Sequence, residues 1–363
     1  MSNGLLYNVV LNVLQAVGWA SPPQWLVITI ASVVGALVLF TVVLSVGGLF
    51  TFAFRRIFAR MGQRPGPNRV GPQGIFQFLA DGAKLISKED VRPAKADRFA
   101  WTSALYVAIV FTVLAWAAIP WGPELAFFRG STGLLVILAM GAIAPLAEIL
   151  AGWGSNNKYS LYGGVRAAAL DVSYEIPMVI TLASTVLMVG SLDTVKIVDS
   201  QAAMWGHWQS ALVFLLPMLL GFVIFFITAL AKAGLVPTDL AESESELVAG
   251  FTTEYSGMRF GMFFVVLFSN VFFVSAMITM IFLGGWHFPG ESLLGGTALA
   301  VVQPLVFLAK SLVLSFVVFW VWATLPRVRV DQYMGVAWKV LLPLSIVNFV
   351  ATAVAVKVLA GGV

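Results

Sequence analysis

Eight stretches of this chain, at roughly 25–54, 101–120, 131–152, 165–190, 209–231, 258–284, 300–324 and 336–359, are apolar and long enough to cross a bilayer. A helix needs about 20 residues to span a hydrocarbon core of about 30 Å, and lipid offers no partners to exposed backbone N–H and C=O groups. Long apolar runs without strict alternation select helices over barrel strands. The expected fold class is therefore all-α, a polytopic membrane protein with eight transmembrane helices. With 60% of 363 residues hydrophobic and 10% charged, the chain has too little polar surface for a soluble domain. A single integral membrane domain is expected over 1–363, divided into an N-terminal segment at 1–23 and an eight-helix part at 24–359. Residues 4–20 are apolar but interrupted by Asn8, Asn12 and Gln15, and no basic n-region precedes them. They read as an interfacial helix rather than a cleaved signal.

Charge placement sets the expected orientation, because cytoplasmic loops retain Lys and Arg. One set of alternate loops, 55–100, 153–165, 232–257 and 325–335, with its flanks, holds all the Lys and Arg except Arg129, Lys196, Lys310 and Lys357. Both termini are thus expected outside and those loops in the cytoplasm. The net charge of +4 is explained by this topology more simply than by nucleic acid. With no Cys, and His207 and His287 far apart, the sequence offers no disulfide, no cysteine-ligated cluster and no plausible metal or haem site. Any electron carrier must be a diffusible ligand or belong to a partner.

The first cytoplasmic loop contains GPNRVGP (Gly66 to Pro72), whose Gly and Pro break regular structure. Irregular backbone beside a membrane must be covered by protein or line a cavity. Gly74 to Lys88 then reads as an amphipathic helix, with Ile75, Leu79 and Ile86 on one face and Asp81, Lys84 and Lys88 on another. Such a helix can lie on lipid headgroups or line a site.

Ionisable groups within the apolar stretches are few. Glu148 lies in the third, and Asp171 and Glu175 share a face of the fourth at i, i+4. A charged Asp near the bilayer centre costs about 2.5–3.5 kcal/mol, so these side chains are expected to face the protein. They fit a proton relay, and equally a set of hydrogen-bonded packing devices. Between the fifth and sixth stretches, Asp239, Glu242, Glu244, Glu246 and Glu254 crowd into one loop. Pro237 and Asp239 suit a helix start and Gly250 a stop, which would place Glu242 and Glu246 on one face. Carboxylates this close titrate as a group. Calcium is the competing ligand, but the Gly-centred calcium loop is lacking. Arg327, Arg329 and Asp331 at the last cytoplasmic edge read as a topology anchor or a dock for an acidic surface.

Taken together, GPNRVGP with QFLADGAKLISKED, AGWGSNNKYSLYGG with SYE ending at Glu175, ESELVAGFTTEYSG, LGGW, and TLPRVRVDQYM with WKVLLPL resemble one family in order, from about residue 50 to 345. That family is the quinone-pocket membrane subunit of respiratory complex I, the H subunit of NADH-quinone oxidoreductase. The resemblance implies a subunit that is not catalytic alone, carries no redox cofactor, and forms part of a quinone chamber coupled to proton movement. Iron-sulfur clusters and flavin would belong to partner subunits, with quinone as substrate. By that likeness Arg55, Arg64, Gly66, Pro67, Asn68, Arg69, Asp81, Lys84, Glu242, Glu244, Glu246, Phe251, Arg327 and Arg329 would surround the quinone path. Glu148, Asp171, Glu175, Asp239, Glu242 and Glu246 would form the proton route, in a bacterial cytoplasmic membrane beside the other complex I subunits.

Departures from the family pattern fall on charges. Phe54 stands where a Glu usually precedes Arg55; Lys232, Ala233, Gly234 and Leu235 replace Glu-Thr-Asn-Arg; Leu267 replaces a Glu and Trp322 an Arg. Glu148 and Asp171 are acids where the pattern is uncharged, so the proton route is expected to be rebuilt. Two alternatives stand beside this reading. One is the membrane anchor of a complex I-like hydrogenase or other donor-quinone enzyme, and the other is an ion-coupled secondary transporter, although no half-length repeat is visible.

Overall fold

The computed structural model describes residues 7, 10–12, 22–123, 125–206, 208–291 and 295–360, with side chains except at 203–206, 208–217, 244–245, 296–297 and 359–360. Among the described residues every regular element is helical, as the apolar run lengths require. Seven helices are long and apolar enough to cross a membrane. The stretch expected as the fifth span is also a helix, Trp208–Lys232, in which Met218–Lys232 counts as a shorter apolar segment. Most of the expected N-terminal interfacial helix lies outside the described residues. Residues 10–12 are helical, and Val10 packs with Val27 and Ala31 at the start of the first span.

Helix α1, Gln24–Met61, has 38 residues and a length of about 57 Å, so its last turns, with Arg55, Arg56 and Arg60, rise beyond a hydrocarbon core of about 30 Å. The amphipathic helix of the first loop is α2, Gln77–Ser87. Its expected apolar face turns outward: Leu79 and Ile86 are exposed, while Phe78 reaches Gly48 of α1 and Leu85 reaches Gly261. Periodicity identified the helix, but which stripe meets protein depended on where α1 left room. Next come α3, Arg98–Ala117, and the third span, which is two pieces, α4 Gly133–Ile143 and α5 Leu146–Gly154. The break falls at Ala144-Pro145, where proline lacks an N–H and cannot continue the ladder. Helix α6 runs Lys158–Val189, starting well before the expected residue 165 because Asn157 accepts from Tyr159 N at 3.0 Å and caps it.

Thr194–Gly206 adds an unexpected helix, α7, before α8, Trp208–Lys232. The helix anticipated from Asp239 to Gly250 is reduced to one turn, Glu244–Leu247, followed by a 3-10 turn at Gly250–Thr252. The last long helices are α9, Gly257–Phe282, α10, Gly296–Thr324, α11, Val330–Val336, and α12, Leu342–Ala360, the last two joined by a π-turn at 337–341.

Helix α9 is the axis of the bundle. Buried residues make up 72% of its most apolar stretch, against 22–44% for the other six spans. At its centre Phe272 meets Phe50 of α1 edge-on at 5.7 Å and stacks on Trp116 of α3 at 5.5 Å. Helix α1 comes close enough that a Cβ on Gly47 would collide with the Val265 carbonyl of α9. On the side opposite the basic loops, the turn after α9 is held by side chains. Lys310 Nζ of α10 donates to the carbonyls of Leu283 (2.8 Å), Gly285 (3.0 Å) and His287 (2.6 Å), which uses all three of its N–H bonds. Gln201 of α7 accepts from Gly284 N and donates to the Met280 carbonyl, both at 2.8 Å. His287 sits between Asp199 (3.3 Å) and Glu291 (2.7 Å).

Lys310→Met would strand three carbonyls at the end of the central helix. We expect it to cost roughly 3 kcal/mol and to lower the thermal unfolding midpoint of the purified protein; an unchanged midpoint would show the turn to be held without the ammonium.

Candidate functional site

At the end of the bundle that carries the basic loops, α3, the α4–α5 break, α6, α8, α9 and the loop after α8 enclose one cavity. The space open to water centres is about 100 Å3, room for on the order of seven waters. Glu148, Asp171, Asp239, Glu242 and Lys232 line it, with Asn270, Tyr174 and Thr238. Apolar residues such as Phe111, Trp116 and Phe273 close it toward the membrane interior. The cavity is therefore polar on one wall and dry on the other.

The four carboxylates arrive on three segments. Glu148 lies in the first turn of α5, just past Pro145, so interruption of the span opens the wall where the acid stands. Asp171 projects from α6; its Oδ1 accepts from the Tyr174 hydroxyl at 2.7 Å, and its Oδ2 is buried with no protein partner. A buried acceptor in that position is satisfied by water when the cavity is wet. Asp239 pairs with Arg327 at 2.9 Å, and Val328 N donates to the Pro237 carbonyl at 3.0 Å, which ties the loop after α10 to the acidic one.

The acidic loop is seated on α6. Ser160 Oγ donates to the Phe251 carbonyl at 2.9 Å, and Asn157 Nδ2 donates to Glu254 at 2.5 Å. Gly163 permits the contact, since a Cβ there would stand 2.6 Å from Phe251 N. Gly250 has φ +54°, and a Cβ on it would overlap the Ala241 carbonyl. Together these contacts turn Glu242 inward. Tyr255, next in the loop, stacks on Trp101 at 5.1 Å and donates to the Trp101 carbonyl at 2.9 Å. Burial pushes its phenol above the ordinary tyrosine range, so it stays a neutral donor.

The residues expected from sequence divide into three groups. Glu148, Asp171, Asp239 and Glu242 share the cavity, and Glu175 stands one turn further along α6. Glu246 does not join them: it is exposed and pairs with Arg166 of α6, because the loop turns after Glu242 instead of continuing as a helix. The side chain of Glu244 lies outside the described residues. Phe251 is buried and lines the cavity.

The first-loop residues form a separate surface over α1. Arg55 pairs with Asp81 at 2.6 Å, and Gln77 donates to the same carboxylate at 3.1 Å. Gly66 and Pro67 are half-buried, whereas Arg64, Asn68, Arg69 and Lys84 are exposed. Arg259 Nε binds Asp90 at 2.6 Å and its guanidinium lies 4.3 Å over the Trp101 ring, so the end of this loop is fixed to α9. Arg329 and Asp331 pair with each other at 2.8 Å in solvent.

Sequence reasoning missed Lys232, Tyr174 and Asn270 as cavity residues. Position at the end of an apolar helix makes Lys232 look like a topology anchor, and nothing local marks it as inward. Two of the altered positions turn out to be neighbours: Phe54 and Trp322 stack at 4.0 Å with 14° between planes. Phe58, Phe268 and Phe319 surround them.

These features define an integral membrane protein whose helices line a small cavity walled in part by carboxylates. The sequence profile of the family described as NADH dehydrogenase matches residues 33–353. The H subunit of the NADH-quinone oxidoreductase of Anaeromyxobacter dehalogenans is 42% identical over 349 residues, covering 92% of this chain and 84% of that protein. Its counterpart in Brevibacillus brevis is 41% identical, with 92% and 96% covered, and the one in Magnetococcus marinus is 41% identical, with 92% and 93% covered. The chain belongs to the family of NADH-quinone oxidoreductase H subunits. It is a membrane subunit of an oxidoreductase complex and not a catalyst by itself.

The two loop arginines should behave differently in that complex. Arg327→Ala leaves Asp239 without its guanidinium at the cavity and is expected to lower NADH-driven quinone reduction by about tenfold, because the pair is partly buried and its carboxylate stands at the cavity wall. Arg329→Ala removes a solvent-exposed pair, screened by water, and should stay within about twofold. Equal losses would show that the Asp239 contact carries no special weight.

Proposed function

We propose that this subunit forms part of the quinone chamber of a proton-translocating NADH-quinone oxidoreductase and couples quinone reduction to proton movement through the carboxylate cavity. The observation that carries the reading is the meeting of Glu148, Asp171, Asp239 and Glu242, from three helical or loop segments far apart in sequence, in one space of water size. Holding four acids at membrane depth is costly unless they border water, and a wet chain of carboxylates can pass protons.

In this scheme the substrate lies outside the carboxylate cavity. The quinone headgroup binds at the cytoplasmic face, where Arg55, Asp81, the Gly66–Arg69 loop, Arg64, Lys84, Glu244, Glu246, Phe251, Arg327 and Arg329 meet the hydrophilic arm. Electrons reach it from iron-sulfur clusters and flavin in partner subunits, and the charge change at the headgroup is felt by Asp239 and Glu242 through Arg327. Glu148, Asp171 and Glu175 then carry the proton into the membrane. The basic loops face the cytoplasm and both termini the outer side of a bacterial cytoplasmic membrane, in keeping with the segregation of Lys and Arg. Loss of acids at Phe54 and Leu267 and gain of Glu148 and Asp171 support a proton route that has moved toward α5 and α6.

Glu148→Gln and Glu175→Gln should each lower protons moved per electron more than the rate of quinone reduction, measured together in vesicles containing the whole complex. Equal loss of both activities would remove the relay role. Leu267 lines the cavity, so Leu267→Glu is expected to change the same ratio; an unchanged ratio would mean that the missing acid is immaterial in this chain.

A further inference from the structure

Lys232 is the one cation among the described residues lining the cavity, opposite carboxylates from α5, α6 and the acidic loop. It ends α8, and its ammonium points across to α4. A Cβ on Gly141 would stand 2.8 Å from Nζ, so the absence of a side chain there leaves the space the ammonium occupies. The same ammonium lies 5.9 Å from the centre of the Tyr174 ring, and Tyr174 donates to Asp171. The charges acting on it most are Glu175 and Asp171, both on α6. The ammonium thus shares the cavity with carboxylates carried by α5, α6 and the acidic loop.

We infer that Lys232 is a positioning residue for proton transfer: a fixed counter-charge, seated by Gly141 and Tyr174, that faces the Asp171 carboxylate within the cavity. The inference rests on the relay reading above. The one cation stands on the α8 wall, and acids of α5 and α6 stand on the walls facing it. A cavity with four carboxylates and no cation would hold its charge poorly in a low-dielectric setting, because like charges repel and burial disfavours each. One ammonium at the centre lets a carboxylate lose and regain its proton with the net charge kept small. Lys232 itself gives up no proton in this scheme, and its contribution is field and geometry.

A double-mutant cycle on the intact complex in vesicles tests the idea, with protons per electron and quinone reduction rate as readouts. Lys232→Met and Asp171→Asn are each expected to lower protons per electron about twofold or more, with the reduction rate within about twofold. The double variant should be no worse than the poorer single one, because the counter-charge has lost the group it serves. A product of the two single effects, or an unchanged ratio in Lys232→Met, would overturn the inference. Gly141→Ala keeps every titratable group but moves Nζ, and should lower the ratio in the same way; normal coupling there also overturns it. This variant decides the matter if Lys232→Met fails to assemble. If Glu148→Gln and Asp171→Asn both leave the ratio unchanged, the relay reading fails, whatever Lys232 does.

Discussion

Hydrocarbon cannot hydrate a carboxylate, and the architecture of this chain follows from that constraint. An acid facing lipid would cost about 2.5–3.5 kcal/mol by insertion scales, so each intramembrane acid must find protein or water. The solution is a cavity made by leaving helices incomplete. Pro145 interrupts the third span beside Glu148, and α8 ends at Lys232, where irregular backbone begins. Irregular backbone at membrane depth is tolerated where it lines a cavity, and both interruptions do so here.

The rest of the bundle makes that opening affordable. Helix α9 and the aromatic cluster around Phe272 supply a dry, close-packed half, in which Phe50, Trp116 and Phe272 meet at ring distances of 5.5–5.7 Å. Offset and edge-on aromatic pairs add about 0.5–1.5 kcal/mol each beyond burial. The outer end is closed by Lys310 and Gln201, whose side chains saturate the carbonyls and N–H groups after α9. With one half rigid and the outer end tied, the polar half can hold water without loosening the fold.

The stacked pair Phe54 and Trp322 shows how packing without charge holds this half of the bundle. A well-packed apolar pair is often as stabilising as a buried ion pair of similar volume. Function is another matter, because stacked rings carry no proton. The acids present in this chain cluster one layer away, around Lys232, and the scaffold that positions them is the one shared with its relatives.

The sequence by itself determined the class, the segments and the family. Run length set an all-helical membrane protein, Lys and Arg placement set an expected orientation, and ordered motifs named the relatives, because each of these is a local property of the chain. It also picked out Glu148, Asp171, Asp239 and Glu242, since an acid in an apolar context is conspicuous wherever it points. What it could not supply was who meets whom. Glu246 looked equivalent to Glu242 on a helix that the fold does not form, and it pairs outward with Arg166. Lys232 looked like an anchor, yet it turns into the cavity because Gly141, distant in sequence, leaves room for it. The tertiary structure decided these matters, because direction and proximity across a helical bundle depend on how neighbouring helices approach, and no single segment encodes that.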